Sequence, residues 1–372
     1  MTPTAPGPAD PTSVEEILDR VRSHTFHPVD KKSFTVDRDL NQEGIANLDD
    51  DDWRVRLLTV RDLVRRGETA ASKIARRLTD DDGQVRYVCA TALGVLGGHT
   101  AVGELERVVR DDPDALVRSQ AIVALGQLES DRSLALLIDR KETDPSKDVR
   151  HQAELAIDRI EKGVGATDGL LAAYRGLDPE TFDLLNVGDP APPFALEDTE
   201  GRTWQLSDFG EDGEWTVLIW IFADWCPVCH TEFDELIELR ETFADENVSV
   251  ATVECHDRYR GRVMVGEEIE PEYWFSETSF QEEYTNRIWW PHLLDRAGAV
   301  GATYGVDPMA FAVHAEYVNR PATIIVDPAG TVRFAYYGTF WGDRPSIEET
   351  LELIRSNRFE YQHPERRQPT VE

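Results

Sequence analysis

A dipeptide recurs along the first half of this chain at a spacing that leaves little choice of fold. Val55-Arg56, Val85-Arg86, Val117-Arg118 and Val149-Arg150 follow one another at intervals of 30, 32 and 32 residues, each just behind an acidic residue: Asp52, Asp82, Asp114 and Asp148. Behind the middle two comes a matching apolar run, Ala92-Leu93-Gly94-Val95-Leu96-Gly97 and Ala124-Leu125-Gly126-Gln127-Leu128. A repeat of this length accommodates one pair of helices. A lone pair cannot bury its apolar face, so successive units must stack into a continuous core. The acidic residues open the second helix of each unit, where the positive end of the helix dipole favours them. Cys89 lies four residues after Val85, where the next units carry Ala121 and Ala153. It therefore reads as a small packing residue rather than a reactive thiol.

The second half is patterned differently. The apolar run Trp215 to Phe222 reads as a buried strand. Trp225-Cys226-Pro227-Val228-Cys229 follows, and then Phe233, Leu236, Ile237 and Leu239 recur at helical spacing. Two cysteines three apart thus fall where a strand turns into a helix. Unpaired N–H groups and positive partial charge at a helix N-terminus favour thiolate over thiol. Pro227 lacks an N–H and suits the first helical turn. Around this centre the pattern predicts a hairpin from Leu196 to Trp204, a strand at 248–253 and a helix at 295–304. A second hairpin (322–327 with 332–337) and a last helix at 346–355 follow. Residues 258–290 read as irregular and aromatic-rich, with Tyr273, Trp274, Phe275, Trp289 and Trp290 as packing.

Charge narrows the function. Asp plus Glu number 71 against 39 Lys plus Arg, for a formal charge of −32. A nucleic-acid partner is not expected, because phosphate binding needs a basic surface. Such acidity suits a hydrated surface at high salt, where self-repulsion is screened. There is no apolar run long enough to span a bilayer, so no membrane association is expected. Met1 to Asp10 lacks the basic start and apolar core of a secretory signal, so a cytoplasmic location is expected. In that compartment a Cys-x-x-Cys pair reads as redox or metal chemistry rather than a structural disulfide. A zinc site needs further ligands. Cys255-His256 is the available pair, and neighbours on a strand point to opposite faces, so no metal and no cofactor is expected.

The 30–32-residue units resemble short HEAT-like repeats. Val187-Gly188-Asp189-Pro190-Ala191-Pro192-Pro193-Phe194, Asp224-Trp225-Cys226-Pro227-Val228-Cys229 and Arg320-Pro321-Ala322-Thr323-Ile324-Ile325-Val326-Asp327 together resemble the thioredoxin-like redoxins, both the TlpA/ResA-type oxidoreductases and the AhpC/TSA peroxiredoxins. The implied fold class is multidomain: an all-α HEAT-like solenoid followed by an α/β thioredoxin-like fold. The expected boundaries are an N-terminal tail with a short helix (1–44), repeats (45–162), a linker (163–186), the redoxin domain (187–357) and a polar tail (358–372). Residues 1–12 are Pro- and Ala-rich and read as disordered.

The two branches assign the cysteines differently. The thiol–disulfide branch implies Cys226 as attacker and Cys229 as resolver, with a protein disulfide as substrate and an external thiol as reductant. The peroxiredoxin branch puts the peroxide-reactive cysteine second. Val228-Cys229-His230-Thr231-Glu232 echoes its Val-Cys-Pro-Thr-Glu, but Cys226 replaces its threonine and its active-site arginine falls on Pro321, one residue from Arg320. Disulfide exchange is the preferred reading and peroxide reduction the alternative. A redox-sensitive interaction protein without turnover is the third, and in all three the repeats bind a protein partner. The family's groove implies substrate contacts at Trp225, Pro227, Arg320 and Pro321, with a cis bond before Pro321. The buried acid that thioredoxins keep six residues before the first cysteine is here Trp220, which leaves Glu254, His230 and His256 as candidates to assist Cys229. The insertion from Asp307 to Arg320 adjoins the groove and is where substrate specificity is expected.

Overall fold

The structure is a computed structural model describing residues 13–22, 52–165, 169–210, 213–267, 284, 287–339 and 341–363. The expected disordered segment 1–12 and the aromatics Tyr273, Trp274 and Phe275 lie outside the described residues. The described residues form two compact units. One holds those up to Leu177 together with His314–Glu316; the other holds Asp178–Val313 and those from Tyr317 on.

The first unit is helical: α1 (Val14–Arg22), α2 (Asp52–Arg65), α3 (Ala71–Arg76), α4 (Gly83–Leu96), α5 (Val102–Asp111), α6 (Ala115–Gln127), α7 (Leu134–Thr143), α8 (Lys147–Lys162) and α9 (Leu170–Gly176). The repeated dipeptide explains the stacking. Val85, Val117 and Val149 are fully buried. The arginine beside each reaches across a turn. Arg86 Nε lies 2.6 Å from Asp112 Oδ2, and its Nη1 donates to the Asp80 carbonyl at 2.9 Å. One unit later Arg118 repeats this with Asp144 at 2.9 Å and the Asp112 carbonyl at 3.0 Å. Asp80, Asp112 and Asp144 each also accept an N–H two residues on, which shapes the turn that caps the next helix. Asp82 and Asp114 cap α4 and α6 by accepting from Gln84 and Leu116. The helices approach closely where side chains are smallest: a Cβ on Gly126 would sit 3.1 Å from Ala156 Cα. Cys89 is fully buried, as are Ala121 and Ala153.

Within the span expected as a linker, α9 belongs to the first unit. Leu170, Tyr174 and Leu177 are buried, and Arg65 donates twice to the Arg175 carbonyl. The apolar spacing of one short helix was enough to dock it on α2.

The second unit is built on a seven-stranded mixed sheet of order β2-β1-β5-β4-β3-β8-β9. Its strands are β1 (Ala195–Asp198), β2 (Thr203–Gln205), β3 (Trp215–Trp220), β4 (Val248–Glu254), β5 (His292–Leu294), β8 (Ala322–Val326) and β9 (Val332–Tyr337). The central β3 runs parallel to β4 and antiparallel to β8. Alternation along β3 divides the core: Val217 and Ile219 face one side with both cysteines, and Leu218 and Trp220 face the other. The helices are α10 (Pro227–Glu238), α11 (Arg240–Asp245), α12 (Arg258–Met264), α13 (Ala299–Thr303) and α14 (Ile347–Ser356). The Asp307–Arg320 insertion contains a small hairpin, β6 (Phe311–Val313) with β7 (Glu316–Val318).

The helix expected at 295–304 begins only at Ala299. Ala297 and Gly298 adopt left-handed backbone (φ 64° and 66°), and Asp295 accepts the first N–H groups of α13, from Val300 and Gly301. No peptide bond among the described residues is cis, so the expected cis bond before Pro321 is trans. The trans form is the ordinary preference of an X–Pro bond. The flanking backbone is held on both sides: Arg320 N–H donates to the Asp307 carbonyl and Gly338 N–H to that of Pro321.

Candidate active site

Strand β3 stops at Trp220, and its continuation delivers the cysteines. Ile221 N–H still pairs with the Val253 carbonyl, but Phe222 N–H donates to Cys229 Sγ at 3.3 Å. Cys226 is the N-cap of α10 and Pro227 its first residue. Both sulfur-bearing residues have no exposed surface, Pro227 is exposed, and Trp225 is buried with its ring edge-on to Phe222.

The decisive partner comes from 115 residues away. Arg344, on the loop between β9 and α14, donates from Nη2 to Cys229 Sγ at 3.1 Å. Its Nε lies 2.6 Å from Glu232 Oε1, and both side chains are buried. The loop is pinned by Asp343, which accepts from Tyr336 Oη (2.5 Å) and from the N–H and hydroxyl of Thr339 (2.7 Å each). Gly338 is enclosed by the same loop, since a Cβ there would lie 2.4 Å from the Asp343 carbonyl oxygen and 2.7 Å from Pro321 Cγ.

These contacts separate the two thiols. Burial by itself raises the Cys229 pKa, but the hydrogen bond from Cys226, the charge of Arg344 and the N–H of Ala223 outweigh it and hold Cys229 well below an ordinary thiol. Cys226 is pushed well above, by burial first and then by bonding to an anionic Cys229. Glu232 is raised to about 8 by burial, an effect Arg344 only partly offsets.

Around α10 a second set of buried groups fixes the turn. His230 Nε2 is 2.6 Å from the Asp224 carbonyl, and Nδ1 is 2.8 Å from Tyr284 Oη. A carbonyl can only accept, so Nε2 carries the hydrogen, and in the neutral ring Nδ1 accepts from the tyrosine. The Asp224 carboxylate is paired with Arg260 through Nε at 2.8 Å. Of the other expected helpers, Glu254 faces His292 Nε2 at 3.5 Å and His256 Nδ1 at 4.0 Å. Arg320 is engaged by Asp307 at 2.8 Å. Among the described residues no three His, Cys, Asp or Glu side chains converge as metal ligands do.

Residues 187–335 match the AhpC/TSA family, and residues 43–123 and 71–158 match HEAT repeats. The chain joins HEAT repeats to an AhpC/TSA redoxin domain. The redoxin part is 24% identical over 173 residues to a putative peroxiredoxin in the rubredoxin operon of Clostridium pasteurianum, covering 46% of this chain and 88% of that protein. It is 28% identical over 169 residues to the thiol-disulfide oxidoreductase ResA of Geobacillus thermodenitrificans, covering 45% and 78%. It is 26% identical over 175 residues to a peroxiredoxin of Aquifex aeolicus, covering 47% and 71%.

Within this redoxin domain the sequence pointed to Cys226 and Cys229 but passed over Arg344 and Glu232. Glu232 stands in the sequence only as the last residue of Val228-Cys229-His230-Thr231-Glu232. Arg344 sits in Asp343-Arg344-Pro345-Ser346, where the one local signal is the Ser346 cap of α14. An arginine just ahead of a capped helix reads as ordinary surface; only the return of β9 beside β8 carries it to the cysteines.

Proposed function

We propose that the redoxin domain is a thiol peroxidase in which Cys229 attacks and Cys226 resolves. The observation that carries this reading is the buried Arg344 guanidinium 3.1 Å from Cys229 Sγ. It supports an anionic second cysteine, which reverses the roles expected from the thiol–disulfide branch. The burial of both sulfurs favours a small oxidant over a folded disulfide client. The Cys229 thiolate attacks one peroxide oxygen, the O–O bond breaks, and the other oxygen takes a proton from solvent and leaves as water or an alcohol, with Cys229 now a sulfenic acid. The Cys226 thiol attacks that sulfur and expels water, forming the Cys226–Cys229 disulfide. An external dithiol reduces it and is itself oxidised to a disulfide.

A second reading, disulfide exchange led by Cys226, is favoured by its N-cap position beside exposed Pro227. The rate of oxidation of the reduced protein by hydrogen peroxide separates the two. Peroxidase action predicts a rate far above an ordinary thiol, lost in Cys229→Ser, with Cys226→Ser still reacting once and accumulating sulfenic acid. A slow wild-type rate, or loss confined to Cys226→Ser, selects disulfide exchange. The HEAT repeats are proposed to bind a protein partner, and the whole to work in a reducing, high-salt cytoplasm.

A further inference from the structure

The described residues of this acidic chain include a concave surface lined mainly by cations. In the first unit, a cavity of about 630 Å³ opens between the start of α1 and the segment from the end of α2 through α3. Its wall carries Arg66, Lys73, Arg76 and Arg77 against a single carboxylate, Glu15. Elsewhere in this unit several arginines are matched to acids: Arg86 to Asp112, Arg118 to Asp144 and Arg132 to Glu106. Here Arg77 follows that habit, held by Asp80 and 3.5 Å from Glu15. Lys73 and Arg76 do not; no described carboxylate pairs with either, and both are exposed at the wall.

In a chain with 71 acids against 39 bases, two cations with no described carboxylate partner, set together in a concavity, suit an external anion. Low-dielectric walls focus their field, and long-range repulsion from the acidic surface is screened at high salt. The charge surplus, the Lys73 ammonium and the Arg76 guanidinium fork suit a phosphate, which carries about −1.5 to −2 and accepts through three oxygens. The volume exceeds a lone phosphate and falls within the range of roughly 300–1,000 Å³ typical of small-molecule sites. We propose that this cavity binds a compact phosphate anion, either free condensed phosphate or the terminal phosphates of a small molecule. The inference is independent of the cysteine chemistry.

The test is calorimetric titration of the full chain with pyrophosphate, ATP and sulfate at constant ionic strength. It is repeated on Lys73→Glu/Arg76→Glu and on the neutral pair Lys73→Gln/Arg76→Gln. Saturable pyrophosphate binding is expected, weakened roughly tenfold or more by the neutral pair, a loss of about 1.4 kcal/mol or more. The reversed pair should abolish it, with thermal unfolding unchanged in both variants because both side chains are exposed. Tighter binding of ATP identifies a phosphorylated small molecule; equal binding identifies free condensed phosphate. The proposal is overturned if neither titrates saturably, if sulfate binds as well as pyrophosphate, or if folded variants bind like the wild type.

Discussion

Removing the charge of Arg344 should change the chemistry of Cys229 more than any other single substitution outside the cysteines. Its Nη2 is 3.1 Å from Sγ, and neither side chain reaches solvent. With the guanidinium charge centred about 4 Å away and an effective dielectric of about 20, the attraction is about 4 kcal/mol. Losing that attraction should raise the Cys229 pKa and move its titration to higher pH. The variant is Arg344→Gln in a Cys226→Ser background, where a hydroxyl preserves the hydrogen bond to Cys229. The assay is thiolate ultraviolet absorbance against pH, checked by the pH dependence of alkylation. The parent should titrate well below an ordinary thiol and the variant above it, with Arg344→Lys between because it keeps charge but loses the fork. A midpoint that moves by less than about half a unit in folded Arg344→Gln would refute the assignment of Arg344 as the source of thiolate stability.

Other outcomes follow from the same contacts. Glu232 has its pKa raised from 4.5 to about 8 in the folded protein, so between those values the folded state holds the extra proton and stability falls as pH rises. Glu232→Gln should remove that decline, seen as a flatter wild-type-minus-variant difference in denaturant midpoint below pH 4.5 and a widening one up to about 8; a constant difference across the window counts against it. Arg118→Ala leaves Asp144 buried without its cation and should cost about 3–5 kcal/mol in urea unfolding of the repeats; a loss below about 1 kcal/mol would mean that the ladder is not a main source of their stability. With a charge of −32, thermal unfolding should move up strongly as salt rises from roughly 0.1 M to 1 M, where the screening length falls from about 10 Å to 3 Å. A flat response would remove the high-salt argument.

The two architectures were legible because each is written in local periodicity. The Val-Arg spacing is a property of neighbouring units, and the ladder from Arg86 to Asp112 and from Arg118 to Asp144 is its direct expression. The Cys-x-x-Cys at a strand-to-helix turn is equally local, since β3 and α10 are adjacent in the chain. The break at Ala297-Gly298 was not legible, because apolar spacing cannot report left-handed backbone. Nor was the docking of α9, whose sequence fits a linker helix as well as a packed one.

Which cysteine carries the charge belongs to the tertiary structure alone. By sequence, both thiols sit at the same helix N-terminus and share its dipole. Their burial, the hydrogen bond between them and the charge of Arg344 set them apart, and Arg344 is brought 115 positions through the chain by the β8–β9 return and a loop pinned on Asp343. A long-range charge in a buried site acts at full strength only where folding has excluded water. The residues and their order therefore determine that this chain stacks repeats and presents a dithiol. The packing of one loop sets a buried guanidinium against the Cys229 sulfur.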